Sequence, residues 1–255
     1  MAKRLIKMDF EIDRAEVLRY LQTAKDLNDQ NINRLIKESI AEIKELINFR
    51  YLYQKFPLAE TDEGVEIKNT TLTLKGKSIK KHLQHSKEVY LMAATLGAQV
   101  DKRISFYEKI SVTKSMIFDA CATTAIEEGC DQVETEIKEK VLVAGKEDIT
   151  FRYSPGYGDL GIDIQKEFLR ILKAPKKIGL TASKYNMLIP TKSVTAIIGV
   201  LEEKIGKKDI LNYNNNEQDK LKDKDLEFEE RHCQNCLLYQ DCELRRKGIY
   251  CGAKN

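Results

Sequence analysis

Apolar residues in this chain first recur at helical spacing. Asp13 and Glu16 stand as in a capping box around Ala15, with Val17, Leu18 and Leu21 following, which predicts a short amphipathic helix. Ile32, Leu35, Ile36, Ile40, Ile43, Leu46 and Ile47 then keep a helical period with lysines and glutamates between them, predicting a helix of several turns that ends near Asn48. Pro57 and Gly64 punctuate what reads as a loop, after which Thr71, Leu72, Thr73 and Leu74 alternate like a half-buried strand. Ser78 is placed to cap a brief helix reaching Leu83. Val89-Tyr90-Leu91-Met92-Ala93-Ala94 reads as a buried strand, and Gly97 separates it from a helical stretch carrying Val100, Ile104 and Tyr107.

A long helix is predicted over 115–140 from Ile117, Cys121, Thr124, Val133 and Ile137. Its middle is lined with Ala120, Ala122, Ala125 and Gly129, small residues that let a sheet or helix approach closely; a ligand lying there is the alternative. Ile149-Thr150-Phe151-Arg152-Tyr153 alternates as a strand and runs into Ser154-Pro155-Gly156-Tyr157-Gly158-Asp159-Leu160-Gly161, the densest glycine cluster in the chain. Asp163 is placed to cap a helix with Ile164, Phe168, Leu169 and Leu172, closed by Pro175. Residues 178–181 and 193–200 are further strand candidates. Helices and strands mix without strict alternation, so the fold class expected is α+β. Residues 210–230 are rich in Asn, Lys, Asp and Glu and nearly free of apolar residues, which divides the chain into a domain at 1–209, a polar linker at 210–230 and a cysteine-rich tail at 231–255.

Composition narrows the function class. With 43 Lys+Arg against 40 Asp+Glu, a net charge of +3 exerts no strong pull toward nucleic acid or membrane. No apolar run reaches the ~18 residues of a membrane span, and lysines break up the apolar residues of 1–10, against a secretory signal; a cytoplasmic location is expected. Cysteines in a reducing compartment are thiols or ligands rather than disulfides. Cys121 and Cys130 fit as small buried apolar groups inside the long helix. Cys233, Cys236, Cys242 and Cys251 crowd into 19 residues beside Arg245, Arg246 and Lys247. Only the first pair has the C-x2-C spacing that a structural zinc site normally repeats. Four thiolates also suit a [4Fe-4S] cluster, whose negative charge the arginines would offset; zinc, or thiols without a metal, are the alternatives. His232 reads as a solvated neighbour of these cysteines. His82 and His85 read as exposed residues of a basic segment, and Lys173, Lys176 and Lys177 as a solvated turn, with a partner-docking patch as the alternative.

The glycine cluster has two readings. Gly156, Gly158 and Gly161 spell G-x-G-x-x-G, but a dinucleotide loop needs a βαβ unit and an acid ~20 residues on, where this chain has Lys173-Ala174-Pro175-Lys176-Lys177. The other reading starts from Arg152-Tyr153-Ser154-Pro155-Gly156-Tyr157, which resembles the R-x-x-P-G-Y signature of the activation domain of cobalamin-dependent methionine synthase. Thr95-Leu96-Gly97 upstream, and Leu180-Thr181-Ala182-Ser183, Met187, Pro190 and Ser193-Val194-Thr195 downstream, resemble further elements of that domain, so the likeness covers residues 88–200. Departures are Ala182 in place of the usual Glu, Ile197-Ile198 in place of an aromatic pair, and the continuation Gly158-Asp159-Leu160-Gly161. The D-x-H-x-x-G of a cobalamin lower ligand and the homocysteine and folate modules are absent, so these residues do not make up a complete methionine synthase.

The resemblance implies one α+β domain with a bent antiparallel sheet flanked by helices, and a loop that binds S-adenosylmethionine. Arg152 would offer a planar donor fork to the methionine carboxylate, with Ser154, Gly156 and Tyr157 forming the rest of the loop and Gly156 removing a Cβ from the ligand's path. An acidic residue of the long helix, Glu127 or its neighbour Glu128, would take the amino group. The bland alternative makes Arg152 a surface strand residue and Pro155-Gly156 a plain turn. The implied role is reductive remethylation of a cobalamin held by a partner, methionine synthase or another corrinoid protein, with the tail cluster, if iron-sulfur, supplying or relaying the electron, flavodoxin or ferredoxin as examples of an electron donor, and a methyltransferase component as the enzyme class if the protein is an enzyme. A non-catalytic binding module with a zinc tail and a nicotinamide-dependent enzyme are the competing readings.

Overall fold

Tyr51 and Tyr53 alternate with Leu52 and Phe56 between two faces, and this stretch is the long strand β1 (Arg50–Thr61) instead of the loop expected around Pro57. The computed structural model describes residues 10–22, 29–146 and 148–201. Proline is tolerated in a strand only where its missing N–H is not needed. Pro57 stands where β1 changes partners, pairing over 50–57 with β4 (Ser86–Thr95) and over 58–61 with β2 (Gly64–Ile67). Its carbonyl accepts a hydrogen bond from the Lys68 N–H at 2.9 Å, beyond the end of the β2 ladder. The sheet is bent and antiparallel. With β3 (Thr73–Leu74), β5 (Asp148–Ile149) and β8 (Ser193–Leu201) it forms a six-stranded antiparallel sheet in the order β3-β2-β1-β4-β8-β5. A separate hairpin joins β6 (Thr181–Ala182) to β7 (Leu188–Ile189).

Side chains alternate across the sheet and build two cores. Met92, Ala94, Ala196, Ile198 and Val200 pack with α1 (Arg14–Tyr20), α2 (Gln30–Leu46), α4 (Ala98–Ile110) and α5 (Val112–Val143). Leu91, Ala93 and Ile197 pack on the other face with α3 (Lys77–Leu83), α6 (Gln165–Leu172) and α7 (Ala174–Ile178). Asp13 caps α1 as expected, accepting from the Ala15 N–H at 2.9 Å, and Asp29 caps α2. The 32 residues of α5 run about 48 Å at ~1.5 Å per residue. Its small residues admit protein: a Cβ on Gly129 would lie 2.5 Å from the Phe49 ring, and Ala120, Ala122 and Ala125 are buried. No helix among the described residues is long and apolar enough to cross a membrane.

Several local expectations are corrected. Ser78 lies inside α3 and does not cap it; the N-cap is Gly76, which has no side chain to offer, and Asp159 substitutes from across the fold. Its Oδ2 accepts from the Lys77 N–H at 2.6 Å and Oδ1 from the Ser78 N–H at 3.0 Å. Asp163 sits in a 3-10 turn, Ile162–Ile164, and α6 begins after Ile164 without a side-chain cap. Pro175 opens α7 rather than closing α6, because a first-turn proline has the right φ and needs no N–H partner. Residues 178–180 are the end of α7 and a left-handed turn at Gly179 (φ +68°), so of the strand expected over 178–181 only Thr181 is strand, opening β6. The strand expected over 149–153 is reduced to β5 and a single bridge, Tyr153 to Ile197. Removing the borrowed cap with Asp159→Ala is expected to cost about 1 kcal/mol; an unchanged urea midpoint would show that α3 does not depend on it. The linker at 210–230 and the cysteine tail at 231–255 lie outside the described residues.

Candidate functional site

The outer edge of β8 is paired only in part. β5 covers it at Val200 and Leu201, Thr150 N–H donates to the Gly199 carbonyl at 2.9 Å, and Tyr153 exchanges two bonds with Ile197 at 3.0 and 2.9 Å. There the chain turns away at Ser154 and Pro155. Strand alternation sends Tyr153 into the second core and Arg152 the other way, onto α5.

Asp119, Thr123, Glu127, Asp131 and Glu134 are spaced by three or four residues and therefore share one flank of α5. Two cations meet this acidic stripe. Lys192 Nζ lies 2.9 Å from Asp119 Oδ1 and donates to Thr123 Oγ1 at 2.8 Å. Arg152 Nη2 donates to Glu127 Oε2 at 3.0 Å, while Nη1 reaches Asp131 Oδ1 at 2.8 Å and Glu134 Oε2 at 3.0 Å. The Arg152 side chain is only 16 % exposed, so three carboxylates against one guanidinium leave a local formal charge of −2 in a half-sheltered place. Burial opposes the arginine's charge, and the surrounding acidic groups overcome it, raising its pKa beyond the ordinary value. The cysteines of α5 are buried thiols held in the protonated form: burial pushes Cys121 up to about 12 and raises Cys130 as well.

The turn after Arg152 is closed on itself. Tyr157 N–H donates to the Ser154 carbonyl at 3.0 Å, Leu160 N–H to the Tyr157 carbonyl at 3.0 Å, and Gly156 N–H to the Leu160 carbonyl at 2.8 Å. Gly156 needs its φ of +97°, a region that side chains disfavour, and a Cβ there would come within 2.8 Å of Ile162. Tyr153 Oη donates to the Tyr157 carbonyl at 3.0 Å, and the Tyr157 ring stands out 55 % exposed. Asp159 is exposed; slight desolvation works against its ionisation, and the Lys77 and Ser78 amides prevail, holding its carboxyl below the usual range.

Of the residues expected at the site, Arg152 and Glu127 are joined directly. Ser154, Gly156 and Tyr157 form the adjoining turn and make no hydrogen bond to the carboxylate cluster. Asp131, Glu134, Asp119 and Lys192 were not anticipated, although the spacing of the acids on a helix already expected at 115–140 places them on one face. His82 corrects the sequence reading: it is 6 % exposed, stacked edge-on against Phe151 with ring centroids 4.5 Å apart, and its Nε2 lies 2.9 Å from Thr150 Oγ1. Among the described residues no group of three or more His, Cys, Asp or Glu side chains could hold a metal ion. Cys233, Cys236, Cys242 and Cys251 lie outside the described residues. All described strand pairings are antiparallel, which removes the βαβ unit that the dinucleotide reading requires.

Neither a family model nor a curated protein matches the chain. Among solved structures, the MetH reactivation domain bound to AdoHcy superimposes with a TM-score of 0.56 at 15 % sequence identity, over 75 % of this chain and 74 % of that one. The chain shares the fold of the MetH reactivation domain. In this reactivation-domain fold, α5, the outer edge of β8 and the Arg152 turn converge, and the expected bent antiparallel sheet is present.

Proposed function

We propose that the protein binds S-adenosylmethionine at the Arg152 turn and supports reductive remethylation of a cobalamin held by a partner, methionine synthase or another corrinoid protein. The observation that carries this reading is the placement of Arg152-Tyr153-Ser154-Pro155-Gly156-Tyr157 against an acidic helix flank, in a fold whose solved neighbour holds AdoHcy. The donor set fits the ligand's chemistry. S-adenosylmethionine carries a sulfonium, an ammonium and a carboxylate, for a net charge of about +1, and the cluster around Arg152 is formally −2.

The chain's own residues divide the work. Glu127, the most exposed of the three acids, is placed to accept from the ammonium, which frees one arm of the Arg152 fork for the carboxylate; Asp131 and Glu134 keep the other arm fixed. The Gly156 N–H is already committed to Leu160, so the main chain offers the ligand carbonyl oxygens there. The open Tyr157 ring supplies a flat apolar face beside them. Bound S-adenosylmethionine would supply an electrophilic methyl group to a cobalt centre reduced by one electron from an external donor such as flavodoxin or ferredoxin. Cys233, Cys236, Cys242 and Cys251 belong to the same proposal as ligands of a [4Fe-4S] cluster, with zinc as the alternative.

Calorimetry with S-adenosylmethionine, AdoHcy and NADH tests the reading. The two adenosyl ligands are expected to bind and NADH not, with Glu127→Gln weakening binding about ten-fold through loss of one charge-assisted bond. Absence of S-adenosylmethionine binding by the wild-type protein would defeat it.

A further inference from the structure

A second surface lies on the outer side of α4. Phe106 and Ile110 on α4, and Val112 and Met116 at the start of α5, are 49 to 67 % exposed. Each pair is one turn apart on its helix, and only Ser111 separates the helices, so the four exposed side chains lie on the turns to either side of an elbow. Two shallow hollows flank the Phe106 ring. One, of about 340 Å³, is lined by Asp101, Lys102, Ser105, Phe106 and Lys109; the other, of about 290 Å³, by Leu46, Gln99, Lys102, Arg103 and Phe106.

The outward ridge of α4 carries two lysines, while the acids around it, Asp101 in the first hollow and Glu38 and Glu42 at the rim, are each engaged by a neighbour. At ~100° per residue, Lys102, Phe106 and Lys109 lie opposite the buried Val100, Ile104 and Tyr107. Asp101 and Glu108, seven apart, fall together on the flank where Asp101 accepts from the Thr191 N–H at 2.6 Å and the Thr191 hydroxyl at 2.9 Å. Arg103 is paired with Glu42 and Lys114 with Glu38, whereas Lys102 and Lys109 make no ion pair with any described residue.

We propose that this face docks a protein partner through an amphipathic helix whose apolar stripe is bordered by carboxylates. The two hollows lie on either side of a helical ridge, the relief into which a second helix packs its own side chains, and Lys102 and Lys109 complement its acids. A second copy of this chain fits poorly, because a two-fold contact would bring these lysines toward their own equivalents.

The test uses the full chain and a fluorescein-labelled helical peptide of leucines at i, i+3, i+4 and i+7 bordered by glutamates, beside a twin with lysine for each glutamate. Anisotropy should show the acidic peptide binding at least about ten-fold more tightly than its twin. Phe106→Ser and the double change Lys102→Glu with Lys109→Glu should each reduce its affinity about ten-fold while leaving the melting temperature unchanged. Equal binding of the twins, or undiminished binding by either variant, overturns the proposal. So does a wild-type dimer that Phe106→Ser converts to monomer, or sedimentation with phosphatidylserine vesicles that the double change abolishes.

Discussion

Arg152→Met is expected to destabilise the protein by roughly 2–3 kcal/mol, somewhat less than the 3–5 kcal/mol typical when one partner of a fully buried ion pair is removed. Methionine keeps much of the side-chain volume, so the loss isolates the charge. Glu127, Asp131 and Glu134 would then face one another without the guanidinium, each still 27 to 41 % exposed and so partly relieved by water. Urea titration gives the size. Adding Glu127→Gln, Asp131→Asn and Glu134→Gln to the methionine variant should recover most of the loss, since the repulsion disappears with the charges. A cost below about 0.5 kcal/mol would mark the cluster as an ordinary screened surface network. The same variant should lose S-adenosylmethionine binding, so ligand titration has to be made below its lowered unfolding temperature.

Acidification from pH 6.5 to about 4 is expected to remove about 3 kcal/mol through His82 alone. Burial lowers this imidazole from its ordinary 6.5 to about 4, against a smaller opposing pull from the Phe151 main chain. Above pH 6.5 the ring is neutral whether the chain is folded or not, and it contributes nothing. Between the two values the unfolded chain binds a proton that the folded one refuses, which costs ~1.4 kcal/mol per pH unit. Below about 4 both forms are protonated and the loss levels off. Urea midpoints of wild type and His82→Gln across pH 4 to 7 check this, because glutamine keeps a polar partner for Thr150 without titrating. A wild-type to variant difference that stays constant over that range would remove His82 from the account.

Local periodicity carried much of the fold. Asp13 before Val17 and Leu18, the apolar spacing on α2 and α5, and the buried run at β4 all fold as their sequence predicts. What escaped depends on distant parts of the chain. Pro57 looked like a breaker because only the pairing partners reveal that its missing N–H faces the end of a ladder. Ser78 looked like a cap because Asp159, which does the capping, is 81 residues away in sequence from the amide it meets. His82 looked exposed among lysines, yet Phe151 and Tyr153 arrive over it from the β8 edge of the sheet. At the candidate site the Arg-x-x-Pro-Gly-Tyr string and Glu127 were legible, while the enclosure of Arg152 by two further acids required the path of the chain between β5 and the turn.

The turn at 154–160 is tied to β8 through Tyr153 and to α3 through Asp159, besides its own three internal bonds. It is therefore a fixed wall and not a lid. A ligand arriving there would meet a shape that is already set, and no entropy of loop ordering would count against its affinity. The same rigidity leaves the turn no means of sealing a ligand from water; under the proposed function, the dry surroundings for methyl transfer would come from a partner surface closing over Tyr157.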